Sequence, residues 1–177
     1  MRTEKEMFDL ILSTATSCED IRAVVLNGSR ANPLAPKDPF QDYDIVYYVR
    51  DVAPYRRNPL VPPAFGEIMI LQMPDDMGES AKTARDTVCY LMQFMDGTRI
   101  DLTYAPLSHL GKLGEDSLTV VLLDKDGAIP PLPPASDRSY WPETPTQKQF
   151  DDCCNEFWWL NPYVSKGLWR GELTNAH

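Results

Sequence analysis

The chain has 177 residues, 43% of them hydrophobic and 24% charged, which suits one well-cored globular domain and is short for two. No apolar run approaches the roughly 20 residues of a membrane-spanning helix, and a net charge of −9 with scattered basic residues argues against a nucleic-acid partner. Acidity of this degree serves solubility or attracts a cationic small molecule.

At the N-terminus, Thr3-x-x-Glu6 is a capping-box pattern. Met7, Phe8, Ile11, Leu12 and Ala15 follow at helical spacing, so residues 4–17 read as an amphipathic helix. Its interrupted apolar residues and flanking charges are wrong for a signal peptide, and a cytoplasmic protein is expected. IRAVVLNG (21–28) reads as a strand that stops at Gly28. SRANPLAPKDPFQ is a loop broken by three prolines, with one helical turn after Ser29. DYDIVYYV (42–49) is a second strand. Pro54, Pro59, Pro62 and Pro63 argue against a regular helix across 51–65. FGEIMILQM (65–73) is a third strand, followed by the loop PDDMGESAK.

Two further apolar runs, 87–95 and 98–105, flank Asp96-Gly97, the strongest short hairpin signal. Residues 106–113 read as a short helix and 117–124 as another strand. A proline-rich stretch from Pro130 to Pro145 acts as a linker, and a helical, aromatic-rich region begins at Thr146 and runs to about Leu173. The organisation is an α+β or α/β domain over 1–128, a linker over 129–145, and the start of a helical domain over 146–177. Cys18, Cys89, Cys153 and Cys154 show no CxxC spacing, and His109 and His177 are the only histidines. No zinc site is expected, and the thiols are expected to be free and buried.

Asp42 and Asp44 carry the first chemical signal. Residues i and i+2 of a strand share a face, with Cα atoms about 6.5–7 Å apart, so the two carboxylates converge at the strand's start. They repel unless a cation lies between them, and a hard ion such as Mg²⁺ suits carboxylate oxygens. Asp101 interrupts the apolar run RIDLTY and would join them if strand 98–105 lies beside strand 42–49. There it could bind metal or act as the base that activates a hydroxyl. Gly28 permits close approach to a phosphate, Ser29 offers a hydroxyl and a backbone N–H, and Arg30 could neutralise charge on a triphosphate. Taken singly, each feature has a plainer reading: a turn, solvated carboxylates, an edge-strand charge. In this order and spacing they point to phosphoryl or nucleotidyl transfer.

The runs GSRAN, QDYDIVYYV, FGEIMILQMPDDM, DGTRIDLTY and WLNPYVSKGLWRGEL resemble the aminoglycoside 6-adenylyltransferases, the streptomycin-modifying enzymes. The resemblance covers essentially the whole chain. It implies a polymerase-β-like nucleotidyltransferase fold, an α+β arrangement with a mixed sheet and flanking helices, followed by the start of a helical domain. It also implies transfer of AMP from ATP, with Mg²⁺, to a hydroxyl of a small-molecule aminoglycoside, with release of pyrophosphate and hence antibiotic resistance. Asp42, Asp44 and Asp101 match the metal-binding carboxylates, with Asp101 as the base; Gly28, Ser29 and Arg30 match the triphosphate-binding turn. Glu67, Asp75, Asp76, Glu79 and the acids of 151–156 become candidates for contacting a cationic antibiotic.

Two departures qualify that expectation. The proline-rich 54–63 segment does not follow the family pattern, and family members carry more of the C-terminal helical domain, which walls the antibiotic site. The chain is therefore expected to hold only the beginning of that domain, with FWWLNPYV uncovered and promoting self-association. Two other functions stay open: a fragment that binds nucleotide without transferring it, and a small nucleotidyltransferase that adenylylates a protein partner.

Overall fold

A computed structural model describes residues 1–76 and 86–172. It divides into two compact units, Met1–Tyr140 and Trp141–His177. The first is an α+β fold built on a six-stranded sheet.

Helix α1 (Glu4–Ser17) begins where the capping box predicts: Thr3 Oγ1 accepts from the Glu6 backbone N–H, and Glu6 Oε2 accepts from the Thr3 N–H at 2.8 Å. These reciprocal bonds satisfy two donors that a helix start otherwise leaves open. Met7, Ile11 and Ala15, one turn apart, are wholly buried. The strands are β1 (Ile21–Asn27), β2 (Tyr43–Val49), β3 (Ile68–Gln72), β4 (Val88–Phe94), β5 (Arg99–Pro106) and β6 (Thr119–Asp124), in the order β3-β4-β5-β2-β1-β6. All neighbours are antiparallel except β2 and β5, which run parallel.

The β4–β5 hairpin turns at Asp96-Gly97, where Gly97 takes φ 85. That left-handed backbone costs glycine little and other residues more. Arg2 pins the turn: its Nε donates to Asp96 Oδ2 at 2.8 Å, its Nη2 to Thr98 Oγ1 at 2.7 Å, and its Nη1 to the Phe65 carbonyl.

Strand alternation separates two faces. Val24, Leu26, Ile45, Tyr47, Tyr90 and Leu102 pack with α1 on one side in the larger core. There the buried Tyr47 hydroxyl donates to the Ile11 carbonyl at 2.7 Å, and among the described residues no buried side-chain polar atom lacks a partner. On the other face Ala23, Val25, Tyr48 and Ala105 pack with the 3-10 helix Leu107–Lys112. The rest of that second face, towards the starts of β2 and β5, is open and carries Asp44 and Asp101.

Three expectations need correction. A short helix, α2 (Val61–Phe65), forms inside the proline-rich 51–65 stretch. Pro62 and Pro63 occupy its first turn, where the missing N–H groups would have no helical acceptor, so they start the helix rather than break it. Strand β3 consequently begins at Ile68 and not at Phe65, which ends α2 and is 1% exposed in the core. The four cysteines are not disulfide-bonded, but none is fully buried and Cys153 is exposed. Cys18 follows α1, Cys89 lies on the open sheet face, and Cys153 and Cys154 sit on a helix with little cover.

That helix is α3 (Gln147–Arg170), in the second unit. Thr146 and Gln149 form a capping box at its start, and Gly171 at φ 68 closes its end. Phe157, Trp158, Trp159, Tyr163 and Trp169 are exposed on it. Among the described residues no helix is long and apolar enough to cross a membrane.

Candidate active site

The parallel pairing of β2 with β5 sets Asp44 directly opposite Asp101. In the same register Asp101 faces Leu91 on β4, and Leu91 faces Gln72 on β3. On the other side Asp44 faces Asn27 on β1, and Asn27 faces Thr119 on β6, whose hydroxyl donates to Asn27 Oδ1 at 3.1 Å. One transverse row thus crosses the whole sheet with two carboxylates at its middle. Asp42 lies just before β2 and completes a trio. One carboxylate oxygen from each of Asp42, Asp44 and Asp101 lies within 4.8 Å of the other two. Asn27, Gly28, Asp44, Asp101, Asp116 and Tyr140 help line an open cavity of about 380 Å³ at this point.

Like charges at that range disfavour ionisation. Burial pushes the Asp44 carboxyl up to about 6, the charges of Asp42 and Asp101 add to it, and Arg99 pulls the other way. Converging hard oxygen donors, their repulsion only partly offset by Arg99, fit a divalent cation such as Mg²⁺. Gly28, at φ 71, is where the trio meets the turn after β1. A Cβ at Gly28 would overlap Asp44 Oδ2 and stand 3.0 Å from Asp44 Cγ. The close approach that requires glycine here is that of the Asp44 carboxylate.

Ser29 and Arg30 occupy a three-residue 3-10 turn, Ser29–Ala31, and line a neighbouring hollow with Glu4, Asn32, Lys37 and Gln41. Ser29 is exposed. The Arg30 side chain is engaged: it donates to the Asp42 carbonyl at 2.8 Å and the Gln41 carbonyl at 2.7 Å. It also lies 3.9 Å over the Tyr43 ring and 3.5 Å from Glu4 Oε1. In this arrangement Arg30 braces the segment that presents Asp42. The geometry therefore gathers Asp42, Asp44 and Asp101 in one cluster, places Asp44, Asp101 and Gly28 on one cavity, and sets Ser29 and Arg30 beside it.

A family model described as streptomycin adenylyltransferase matches residues 1–177. The chain belongs to this family. It is 43% identical over 178 residues to an aminoglycoside 6-adenylyltransferase of Bacillus subtilis (strain 168), covering 99% of this chain and 63% of that protein. It is 44% identical over 179 residues to an aminoglycoside 6-adenylyltransferase of Campylobacter jejuni, covering 99% of this chain and 61% of the relative. The crystal structure of an aminoglycoside 6-adenyltransferase from Bacillus subtilis superposes with a TM-score of 0.61 at 38% identity, over 99% of this chain and 60% of that one. The chain thus spans less than two thirds of the length of these family members.

Arg99, Asn27, Asp116 and Tyr140 also reach this family member's site and are not among the residues expected from the sequence. Arg99 had a signal: two residues before Asp101 on one strand, it shares that residue's face. Asp116 and Tyr140, hydrogen-bonded to each other at 2.9 Å, arrive only through the tertiary fold. Of the acids considered for an antibiotic, Asp75 is buried and accepts from the Cys89 N–H at 3.0 Å, whereas Glu67 is exposed. Asp151 and Asp152 accept from Gln147 and Lys148 along α3. Glu79 and the Asp76 side chain lie outside what the structure describes.

Proposed function

We propose that the chain carries the catalytic part of a nucleotidyltransferase that moves AMP from ATP to a hydroxyl of an aminoglycoside of the streptomycin kind. The observation that carries this reading is the register pair Asp44–Asp101, joined by Asp42, on an open cavity bordered by Gly28. Membership of the family and the names of its relatives supply the adenylyl group and the acceptor class.

Asp42, Asp44 and Asp101 would hold Mg²⁺, which when bound neutralises charge on the reacting phosphates. Gly28 and Ser29 offer the triphosphate a turn next to the carboxylates, and Arg30 keeps Asp42 in place while adding positive charge on that side. Asp101 takes the proton from the acceptor hydroxyl. The hydroxyl oxygen forms its bond to the α-phosphorus as the bond to pyrophosphate breaks, and pyrophosphate leaves with that electron pair.

The test is transfer of radiolabel from α-labelled ATP to streptomycin by the 177-residue chain and its variants. Asp42→Asn and Asp44→Asn should each lower transfer by at least about 100-fold while the far-ultraviolet spectrum is unchanged, the scale on which losing one preorganised charged contact costs catalysis. Wild-type transfer by either variant would refute the assignment.

A further inference from the structure

Arg99 occupies both oxygens of the carboxylate assigned as base. Its Nε donates to Asp101 Oδ1 at 2.8 Å and its Nη2 to Asp101 Oδ2 at 2.6 Å. The same Nε lies 3.6 Å from Asp42 Oδ2. A guanidinium fork on a carboxylate is the strong, oriented form of ion pair. The three carboxylates thus already have one monovalent cation among them, built into the chain two residues from Asp101.

The surroundings let this cation move. The Arg99 side chain is 45% exposed, against 18% for Asp101, so its withdrawal would not unpack the core. Beside it, Ile70, Gln72, Leu91 and Gln93 line a hollow of about 200 Å³. In that hollow the Gln93 amide donates to the Thr98 carbonyl at 3.1 Å and stands across the strand pair from Arg99. The guanidinium therefore has room on its outer side, over polar amide groups, when it leaves the carboxylates.

We propose that Arg99 is a positioning residue that acts as the internal counter-cation of the carboxylate trio. It fixes the plane of the Asp101 carboxylate, and it competes with a divalent cation for the Asp101 oxygens. Cation binding requires the fork to release at least one of them. This rests on the metal-site reading above. Its consequence is that the trio binds a free divalent ion more weakly than three bare carboxylates would, which leaves tight binding to the ion that arrives with a nucleotide's phosphates.

The test is Mn²⁺ titration of the 177-residue chain without nucleotide, read by electron paramagnetic resonance of the free ion. Arg99→Met should lower the Mn²⁺ Kd by about 10-fold, equivalent to ~1.4 kcal/mol. Arg99→Lys keeps the charge and loses the fork, so its Kd should fall between the two. In an Asp101→Asn background the Arg99→Met effect should shrink below about 3-fold, because coupled residues are not additive. Mn²⁺ binding by both Arg99 variants that is no tighter than wild type overturns the competitor role while leaving the metal site standing. Undiminished Mn²⁺ binding by Asp42→Asn and Asp44→Asn refutes the metal site itself, and this role with it.

Discussion

Replacing Asp44 by Asn should stabilise the fold while disabling the site. Asp44 is part-buried, packed against Gly28 and close to two other carboxylates. Its carboxyl ionises at about 6 in the folded chain, against an ordinary value of 3.8. Between those values the folded chain keeps a proton that the unfolded chain releases, so stability falls as pH rises through that window. Above pH 6 the whole penalty is present. A difference of about two pH units corresponds to a ceiling of ~3 kcal/mol, and solvent screening at a part-exposed group reduces this to ~1–2 kcal/mol. The Asp44→Asn change keeps the shape and removes the charge. In EDTA at about pH 8, Asp44→Asn should raise the urea-denaturation free energy by that amount and Tm by about 2–8 °C for a chain of this size. The gap should fall to about half near pH 5 and close below the ordinary value of 3.8. Added Mg²⁺ should raise the wild-type Tm more than the variant's, since ligand binding to the native state adds stability. An Asp44→Asn variant no more stable than wild type in mild alkali, or a gap that does not change with pH, would refute the reasoning.

Gly28→Ala introduces a Cβ into the space of the Asp44 carboxylate, at a left-handed φ of 71. It should cost ~1–3 kcal/mol in urea denaturation and weaken Mn²⁺ binding; a variant with wild-type affinity would show that the contact does not shape the site. At the hairpin, burial pushes the Asp96 carboxyl up, but hydrogen bonds from Thr98 and Arg2 outweigh it and hold the group below the usual range. A depressed acid contributes stability above its unfolded value and loses it as pH falls through the folded one. The stability gap between wild type and Asp96→Asn should therefore be full at neutral pH and shrink in acid, checked by denaturation at about pH 7 and about pH 3. A gap constant over that range would mean the Asp96 charge is not what the turn uses.

Much of the fold was legible because the deciding signals were local. The Thr3–Glu6 box and the four-residue spacing of Met7, Ile11 and Ala15 are contained within α1, and Asp96-Gly97 carries its own turn chemistry. Asp101 stood out because a charge inside an apolar strand needs a reason. Its alignment with Asp44 was legible only as a condition, since β2 and β5 are far apart in sequence and their register is set by core packing of Ile45 with Leu102 and Tyr47 with Tyr104. Proline misled at α2, because the same residue that breaks a helix interior fits its first turn. Gly28 was visible as a turn, but that its missing side chain makes room for Asp44 depends on a tertiary contact.

The transverse row also orders the proposed reaction. From β6 to β3 it reads Thr119, Asn27, Asp44, Asp101, Leu91, Gln72. Gly28 and the turn that would take the triphosphate follow Asn27, on the Asp44 side. In-line displacement puts the attacking oxygen and the leaving pyrophosphate on opposite sides of the α-phosphorus. If the leaving group lies on the β1 side, an attacking hydroxyl would come from the side of β4, where Asp101 is the first carboxylate in the row. On the proposed reaction this favours Asp101, rather than Asp44, as the member of the pair that would take its proton. Strand order is consistent with the proposed role: β5 lies between β2 and β4, so for an acceptor entering from the β4 side the nearest carboxylate of the pair would be the one on β5.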